Sequence, residues 1–264
     1  MIDKSYLPAV RALLTQKYHT ELASLILFGS MLDSNKNNNS STDIDLIIVL
    51  KDSCSKNMYK ELQRELLGLQ RHYGMYGSNF KDIFIAGLQR ATGMFVNSFV
   101  CYYSDIQGRN FYKTFGVNRI ISFLLAPKNS VWISLIQRHK VIMGTNIFLD
   151  WKDEVLLNTS DILRSYVMNS LISSGAIVLS VLGFDMSHFG MESIKWSLFT
   201  WRNRKKISST QLKDLCRIYS TSASKLEKRT LSAFLYYRKT MKPNNYLLLL
   251  APLFILKLHN DLRK

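Results

Sequence analysis

The sequence predicts an α+β protein, with a mixed sheet and helices in the N-terminal half and an all-helical C-terminal half. Three observations carry this. Before residue 150, short apolar runs of strand length alternate with segments of helical spacing. From about residue 153 onward the strand signals fade and only helical spacing continues. The charge divides in the same way. Residues 1–194 carry 19 basic and 16 acidic side chains, a net +3, and residues 195–264 carry 16 basic and 3 acidic, a net +13, giving the chain's +16. Residues 1–150 are therefore expected to form an α/β domain and residues 151–264 a basic helical domain.

Each element rests on its own pattern. Leu7, Val10, Leu13, Leu14 and Tyr18 lie at helical spacing, so 5–18 is a helix. Leu25-Ile26-Leu27-Phe28 is a strand ended by Gly29-Ser30. Residues 33–41, rich in Asn and Ser, form a polar loop. Ile44 to Leu50 is a strand that alternates at its start and is apolar on both faces afterwards, as buried strands are. Met58, Leu62, Leu66 and Leu69 mark a helix over 55–72, and Phe80 to Gly87 reads as another strand. Phe95 to Tyr103 is β-rich, 120–125 and 131–136 suit helices, and 141–144 is a short strand or turn. Helices are expected over 154–182, 190–201, 208–220, 222–240 and 245–262. There is no internal repeat.

Composition removes several classes of protein. The chain is 47% hydrophobic and 20% charged, which excludes wholesale disorder, and its 4 Pro and 12 Gly exclude a collagenous or linker-dominated chain. Cys54, Cys101 and Cys216 are scattered and odd in number, against a disulfide scaffold or thiolate zinc site and in favour of buried thiols. The N-terminus shows no apolar leader segment, and a cytoplasmic protein is expected. The run from Tyr246 to Leu256 is shorter than the roughly 20 residues that span a bilayer, so it reads as a buried helix or, alternatively, as peripheral membrane contact.

One segment carries chemistry. Asp43 and Asp45 stand two apart at the start of a strand, so both carboxylates point to one face while Ile44 and Leu46 point to the core. Two such charges held close repel without a counter-ion. Mg²⁺ is the usual one, since it takes oxygen ligands from one or two carboxylates and from substrate phosphates. Upstream, Gly29 permits close backbone approach to a ligand, and Ser30 adds a hydroxyl donor beside the amides that follow. A two-metal site usually needs a third carboxylate on a neighbouring strand. Asp82 is the candidate, with Asp105 as fallback in a loop-like context.

These residues, Phe28-Gly29-Ser30, Thr42-Asp43-Ile44-Asp45-Leu46 and Asp82, resemble the signature of the DNA polymerase β-type nucleotidyltransferase superfamily. That signature is an apolar run, Gly-Ser, a variable loop, (Ser/Thr)-Asp-x-Asp in a strand and a later single carboxylate. The resemblance covers about 60 residues. It is similar in layout to small members with a helical C-terminal domain, namely antibiotic nucleotidyltransferases and toxin-type nucleotidyltransferases. In several of these the α/β half closes with a segment like Arg138-His-Lys-Val-Ile-Met-Gly144. Here the loop after Gly-Ser is longer and richer in Asn than in many members.

The resemblance implies a polymerase-β-like mixed sheet with helices followed by an all-α domain. It also implies a Mg²⁺-dependent, two-metal transferase that moves NMP from an NTP, ATP among them, to an acceptor hydroxyl. The triphosphate would lie on Gly29-Ser30, and Asp43, Asp45 and Asp82 would hold the metals. The basic C-terminal half favours an RNA acceptor, possibly tRNA, because a positive field draws phosphate-rich partners. A small-molecule or protein hydroxyl is the alternative, and so is a non-catalytic nucleic-acid-binding module of the same fold. Three further features have two readings. Arg138 and Lys140 are either phosphate contacts or solvated charges. Lys195 either reaches a triphosphate or is salt-bridged. The run Trp201-Arg202-Asn203-Arg204-Lys205-Lys206 is either a stacking platform with cations or a helix-ending surface loop.

Overall fold

A computed structural model describes residues 5–33, 44–74, 98–151 and 155–263. It divides into two compact units. The first comprises Met1–Phe123 and Arg138–Lys152, and the second comprises Leu124–Gln137 and Asp153–Lys264.

The first unit is built on a mixed four-stranded sheet of order β3-β2-β1-β4. Its strands are β1 (Leu22–Phe28), β2 (Asp45–Leu50), β3 (Ser98–Tyr102) and β4 (His139–Gly144). β1 runs antiparallel to both β2 and β4, and β2 runs parallel to β3. One face of the sheet buries Leu25, Leu27, Leu46, Ile48, Leu50 and Val100. Against it pack Tyr6, Val10 and Leu14 of helix α1 (Tyr6–Lys17) and Leu62 and Leu66 of α2 (Lys56–His72). Ile26, Ile47 and Val49, on the opposite face, are also fully buried, which is why the strand after Asp45 carries no polar alternation. The Ser55 hydroxyl caps α2 by accepting from the Met58 amide at 3.2 Å. Gly144 closes β4 at φ +79, where a Cβ would lie 2.1 Å from the Ala23 carbonyl oxygen, so only glycine lets the two strands meet there. Short helices α3 (Tyr103–Gln107), α4 (Phe111–Thr114) and α5 (Arg119–Leu124) follow β3. Asp105, expected in a loop, belongs to α3 and pairs with Lys113 at 3.0 Å.

The second unit is helical throughout its described residues, with α6 (Lys128–Gln137), α7 (Thr159–Val181), α8 (Ser187–Arg204), α9 (Leu212–Ser220), α10 (Lys225–Thr240) and α11 (Asn245–Arg263). Its core gathers Ile194, Leu198, Leu215, Phe234, Leu247, Ala251, Phe254 and Leu258. α11 carries Pro252 within it and buries one face only, leaving Leu249, Leu253 and Leu256 about half exposed.

α7 is turned inside out. Asp161, Ser165, Asn169 and Ser173 are buried, while Leu163, Leu171, Val178 and Val181 are 50–82% exposed. The buried stripe is hydrogen-bonded. Ser165 meets the Thr200 hydroxyl at 2.8 Å, Asn169 donates to Ser197 Oγ at 3.1 Å, and Ser130 meets Thr200 at 3.1 Å. By length and composition α7 is also long and apolar enough to cross a membrane.

A capping box opens α10. Ser224 and Glu227 satisfy one another's backbone amides, and Glu227 also accepts from the Tyr219 hydroxyl and pairs with Lys257 at 3.1 Å. Burial pushes the Glu227 carboxyl up, but the Ser224 and Tyr219 hydrogen bonds with Lys257 bring it below the usual glutamate range. A carboxyl lowered on folding stabilises above its unfolded pKa, about 4.3, and that contribution disappears as pH falls through the lower folded value. Glu227→Ala leaves the buried Tyr219 hydroxyl without its acceptor and opens the box. The expected loss is about 2–4 kcal/mol at pH 7, read from urea unfolding, and it should become smaller in acid, where the wild type gives up the contribution of its lowered carboxyl.

Candidate functional site

The site is built at the rim of the sheet where β1 ends. Phe28, the last residue of β1, is paired with Asp45 on one side and with His139 on the other. Paired residues share a face, so Asp45, Phe28 and His139 project together. Ile44 and Leu46 turn the other way into the core, as the alternation requires. Beside them Phe28, Phe99, Phe115 and Phe111 form a run of ring contacts with centroids 6.1, 5.2 and 4.7 Å apart, an apolar wall next to the rim.

From Phe28 the chain enters a 3₁₀ turn, Gly29–Asp33, with Gly29 at φ +81. An L side chain would be strained there, and space forbids one as well. A Cβ on Gly29 would sit 2.1 Å from Asp45 Oδ2 and 3.1 Å from its Cγ. The missing side chain is thus the room that the Asp45 carboxylate occupies. The sequence signal of Gly29-Ser30 followed by Asp45 becomes a contact because the β1–β2 register places the end of one strand against the start of the other. Ser30 lies in the same turn. Asp43 and Asp82 lie outside the described residues.

Arg138, for which the sequence offers only a phosphate contact or a solvated charge, has a positioning contact. Its guanidinium donates to the Gly29 carbonyl at 3.3 Å, tying the turn to the start of β4. The only sequence signal for this is its place just before the strand that closes the half. The adjacent His139 ring meets Asn146 Oδ1 at 3.1 Å and packs edge-on against Phe148. Among the described residues no group of three His, Cys, Asp or Glu side chains is placed to hold a metal.

Other candidates resolve into structural roles. The three cysteines are buried, and burial pushes their thiols up, Cys216 to about 12, so none is a thiolate nucleophile at neutral pH. Lys195 pairs with the buried Glu192 one turn back on α8. The aromatic and the first cation of the 201–206 run face inward. Trp201 is 8% exposed and packs edge-on against Tyr219, and Arg202 is fully buried. Arg202 donates to Asn203 Oδ1 and Ser134 Oγ and lies over the Phe199 ring. A stacking platform is therefore not built there, because α8 continues through Arg204 and turns Trp201 and Arg202 into its buried side.

No protein-family profile and no curated protein matches the sequence. Among solved structures, the chain is similar to the spectinomycin adenyltransferase AAD(9) from Enterococcus faecialis with ATP and spectinomycin, with a TM-score of 0.55 at 13% identity over 98% of this chain and 99% of that one. That likeness shows the fold: the mixed sheet and the helical unit have the architecture of that structure over nearly the whole of both chains.

Proposed function

We propose that the protein is a cytoplasmic nucleotidyltransferase that moves NMP from an NTP to a hydroxyl of an RNA acceptor, tRNA among the candidates. The observation that supports this most directly is the fit of Gly29 against Asp45, the glycine of Gly-Ser beside the second aspartate of Asp-x-Asp. The structural neighbour, solved with ATP and a small-molecule acceptor, supports nucleotidyl transfer as the class.

In this reading the Gly29-Ser30 turn receives the triphosphate, with Arg138 fixing the turn through the Gly29 carbonyl. The hard oxygens of Asp45 suit Mg²⁺, and the space at Gly29 lets that carboxylate stand at the rim. Asp43, Asp45 and Asp82 would hold the metal pair. When bound, Mg²⁺ supplies neutralisation of phosphate charge and a lowered pKa for a bound hydroxyl. The chain's own contribution is to position the nucleotide and acceptor at a rim walled on one side by phenylalanines.

The acidic side chains of the helical unit favour an anionic acceptor over a polycationic one. Glu192 is committed to Lys195, and Glu227 to Ser224, Tyr219 and Lys257. Asp161 is buried, its carboxylate accepts from the Asn129 amide at 3.2 Å and its own amide donates to Asn158 Oδ1 at 2.8 Å, and Asp214 pairs with Arg217. A small-molecule hydroxyl is the second reading, favoured by the end-to-end match to the spectinomycin enzyme.

An assay with each α-³²P-labelled NTP, Mg²⁺ and total RNA tests both readings, with an Asp43→Ala/Asp45→Ala double variant as control. Label entering RNA with the wild type alone is the expected result, and EDTA should abolish it until Mg²⁺ is returned. Label appearing only in a spectinomycin-type acceptor would replace RNA by a small molecule. Label in the protein itself would indicate a protein hydroxyl. Absence of NTP binding would overturn the enzyme reading in favour of a binding module.

A further inference from the structure

The helical unit carries a cationic, aromatic groove that the transfer site does not use. Lys225, Lys228, Arg229, Ser232 and Tyr236 recur at the spacing of one helix face along α10, and Asn244 and Tyr246, at the start of α11, form the other wall. The concavity is shallow, with a volume of about 960 Å³. All three cations are exposed, and none has an ion-pair partner among the described residues. The acid nearest in sequence, Glu227, sits on the buried side of α10. Among the described residues, no carboxylate lines the groove. Tyr236 and Tyr246 are 55% and 46% exposed, so two aromatic faces stand in water beside three uncompensated positive charges.

We infer that this groove binds a single-stranded segment of RNA, with the backbone phosphates on Lys225, Lys228 and Arg229 and unstacked bases on Tyr236 and Tyr246. The inference deepens the RNA-acceptor reading above and rests on it. Charge alone would accept any polyanion. The paired tyrosines select for exposed base faces, which a duplex hides and an acidic peptide lacks. Asn244 caps α11, accepting from the Leu247 amide at 3.0 Å, which fixes the start of the helix that carries Tyr246.

The test is fluorescence anisotropy of a labelled 12-nucleotide single-stranded RNA with the full chain, without NTP, over a range of salt. For the wild type the slope of log K against log salt should be about −2, the value for three phosphate contacts on a single strand. Lys225→Gln/Lys228→Gln/Arg229→Gln should flatten that slope toward zero. Tyr236→Ala and Tyr246→Ala should each weaken binding about tenfold and leave the slope unchanged. All five positions are at the surface, and matching thermal melts establish that the variants fold. Equal binding by wild type and both variant sets would overturn the inference. So would unaltered binding by the tyrosine variants with equal competition from a polyglutamate peptide, which would assign the groove to an acidic protein segment. Asp45→Asn should bind this RNA as the wild type does. Binding that survives there while the wild type labels no RNA would remove the RNA-acceptor reading and leave the groove. Transfer to RNA with unaltered binding in the groove variants would do the reverse.

Discussion

Replacing Asp45 by asparagine should lower the proposed nucleotidyl transfer by about a thousandfold or more and leave the melting temperature within a few degrees of the wild type. The change keeps the shape of a half-buried side chain at the first position of β2 and removes only its charge. Fixed charge aimed at a phosphoryl centre is commonly the largest single term in such chemistry. Gly29→Ala should reach a similar end by a different route. Its Cβ would stand 2.1 Å from Asp45 Oδ2, so the carboxylate or the turn must shift by an ångström or more, at a backbone angle that an L residue resists. Displacement of that order costs about a hundredfold in rate. Because both changes act through one carboxylate, the double variant should be no slower than Asp45→Asn alone. Multiplicative losses, or a Gly29→Ala enzyme at wild-type speed, would show that the glycine does not act through Asp45. Steady-state transfer by the three variants decides it.

The largest expected loss of stability is in the other unit. Lys195→Met removes the partner of Glu192, a carboxylate only 6% exposed on α8. Burial by itself pushes the Glu192 carboxyl up. Lys195 first, then His188 and Arg238, overcome this and hold it below the usual glutamate range. Breaking a buried pair from one side costs about 3–5 kcal/mol, or roughly 6–20 °C in Tm for a protein of this size. The pH dependence has a defined sign. In the wild type the lowered carboxyl stabilises above about pH 4.3 and loses that contribution as pH falls through its folded value. In the variant only His188 and Arg238 oppose the effect of burial, so the carboxyl titrates higher than in the wild type and acid costs the variant less stability. The gap between the two melting temperatures should therefore narrow from pH 7.5 to pH 4.5. A gap that is constant with pH would mean that the loss is one of packing. Adding Glu192→Gln to Lys195→Met should recover part of it, since a neutral amide is cheaper to bury than a lone charge.

How much of this can be read from the sequence differs by element. β1 and β2 are legible because each is an apolar run of strand length, one ended by Gly-Ser and the other begun by Asp-x-Asp and rich in β-branched residues. The contact of Gly29 with Asp45 follows from register, which no one-dimensional pattern contains, yet it needs only the two strands to pair antiparallel. Arg138 is not legible, because donation to a main-chain carbonyl leaves no trace in spacing. The 201–206 run misleads for a related reason. Composition groups Trp201 with its cations, while the helix period turns Trp201 and Arg202 into the core and leaves the outward cations behind. The groove on α10 is hidden in the sequence because its two tyrosines lie on different helices, ten residues apart and separated by a turn.

The reversed polarity of α7 bears on how the helical unit reaches a single arrangement. Apolar surfaces slide past one another at little cost, whereas a hydroxyl that loses its partner in a dry interior does not. Ser165, Asn169, Ser130, Ser197 and Thr200 meet at matched heights along three helices, so a shift of α7 by one residue would strand several of them at once. Alignment along the helix axis is thus set by the pairing of donors with acceptors. Insertion of one residue within α7, between Ser165 and Asn169, should be tolerated far less well than polar substitutions along the outward leucines and valines.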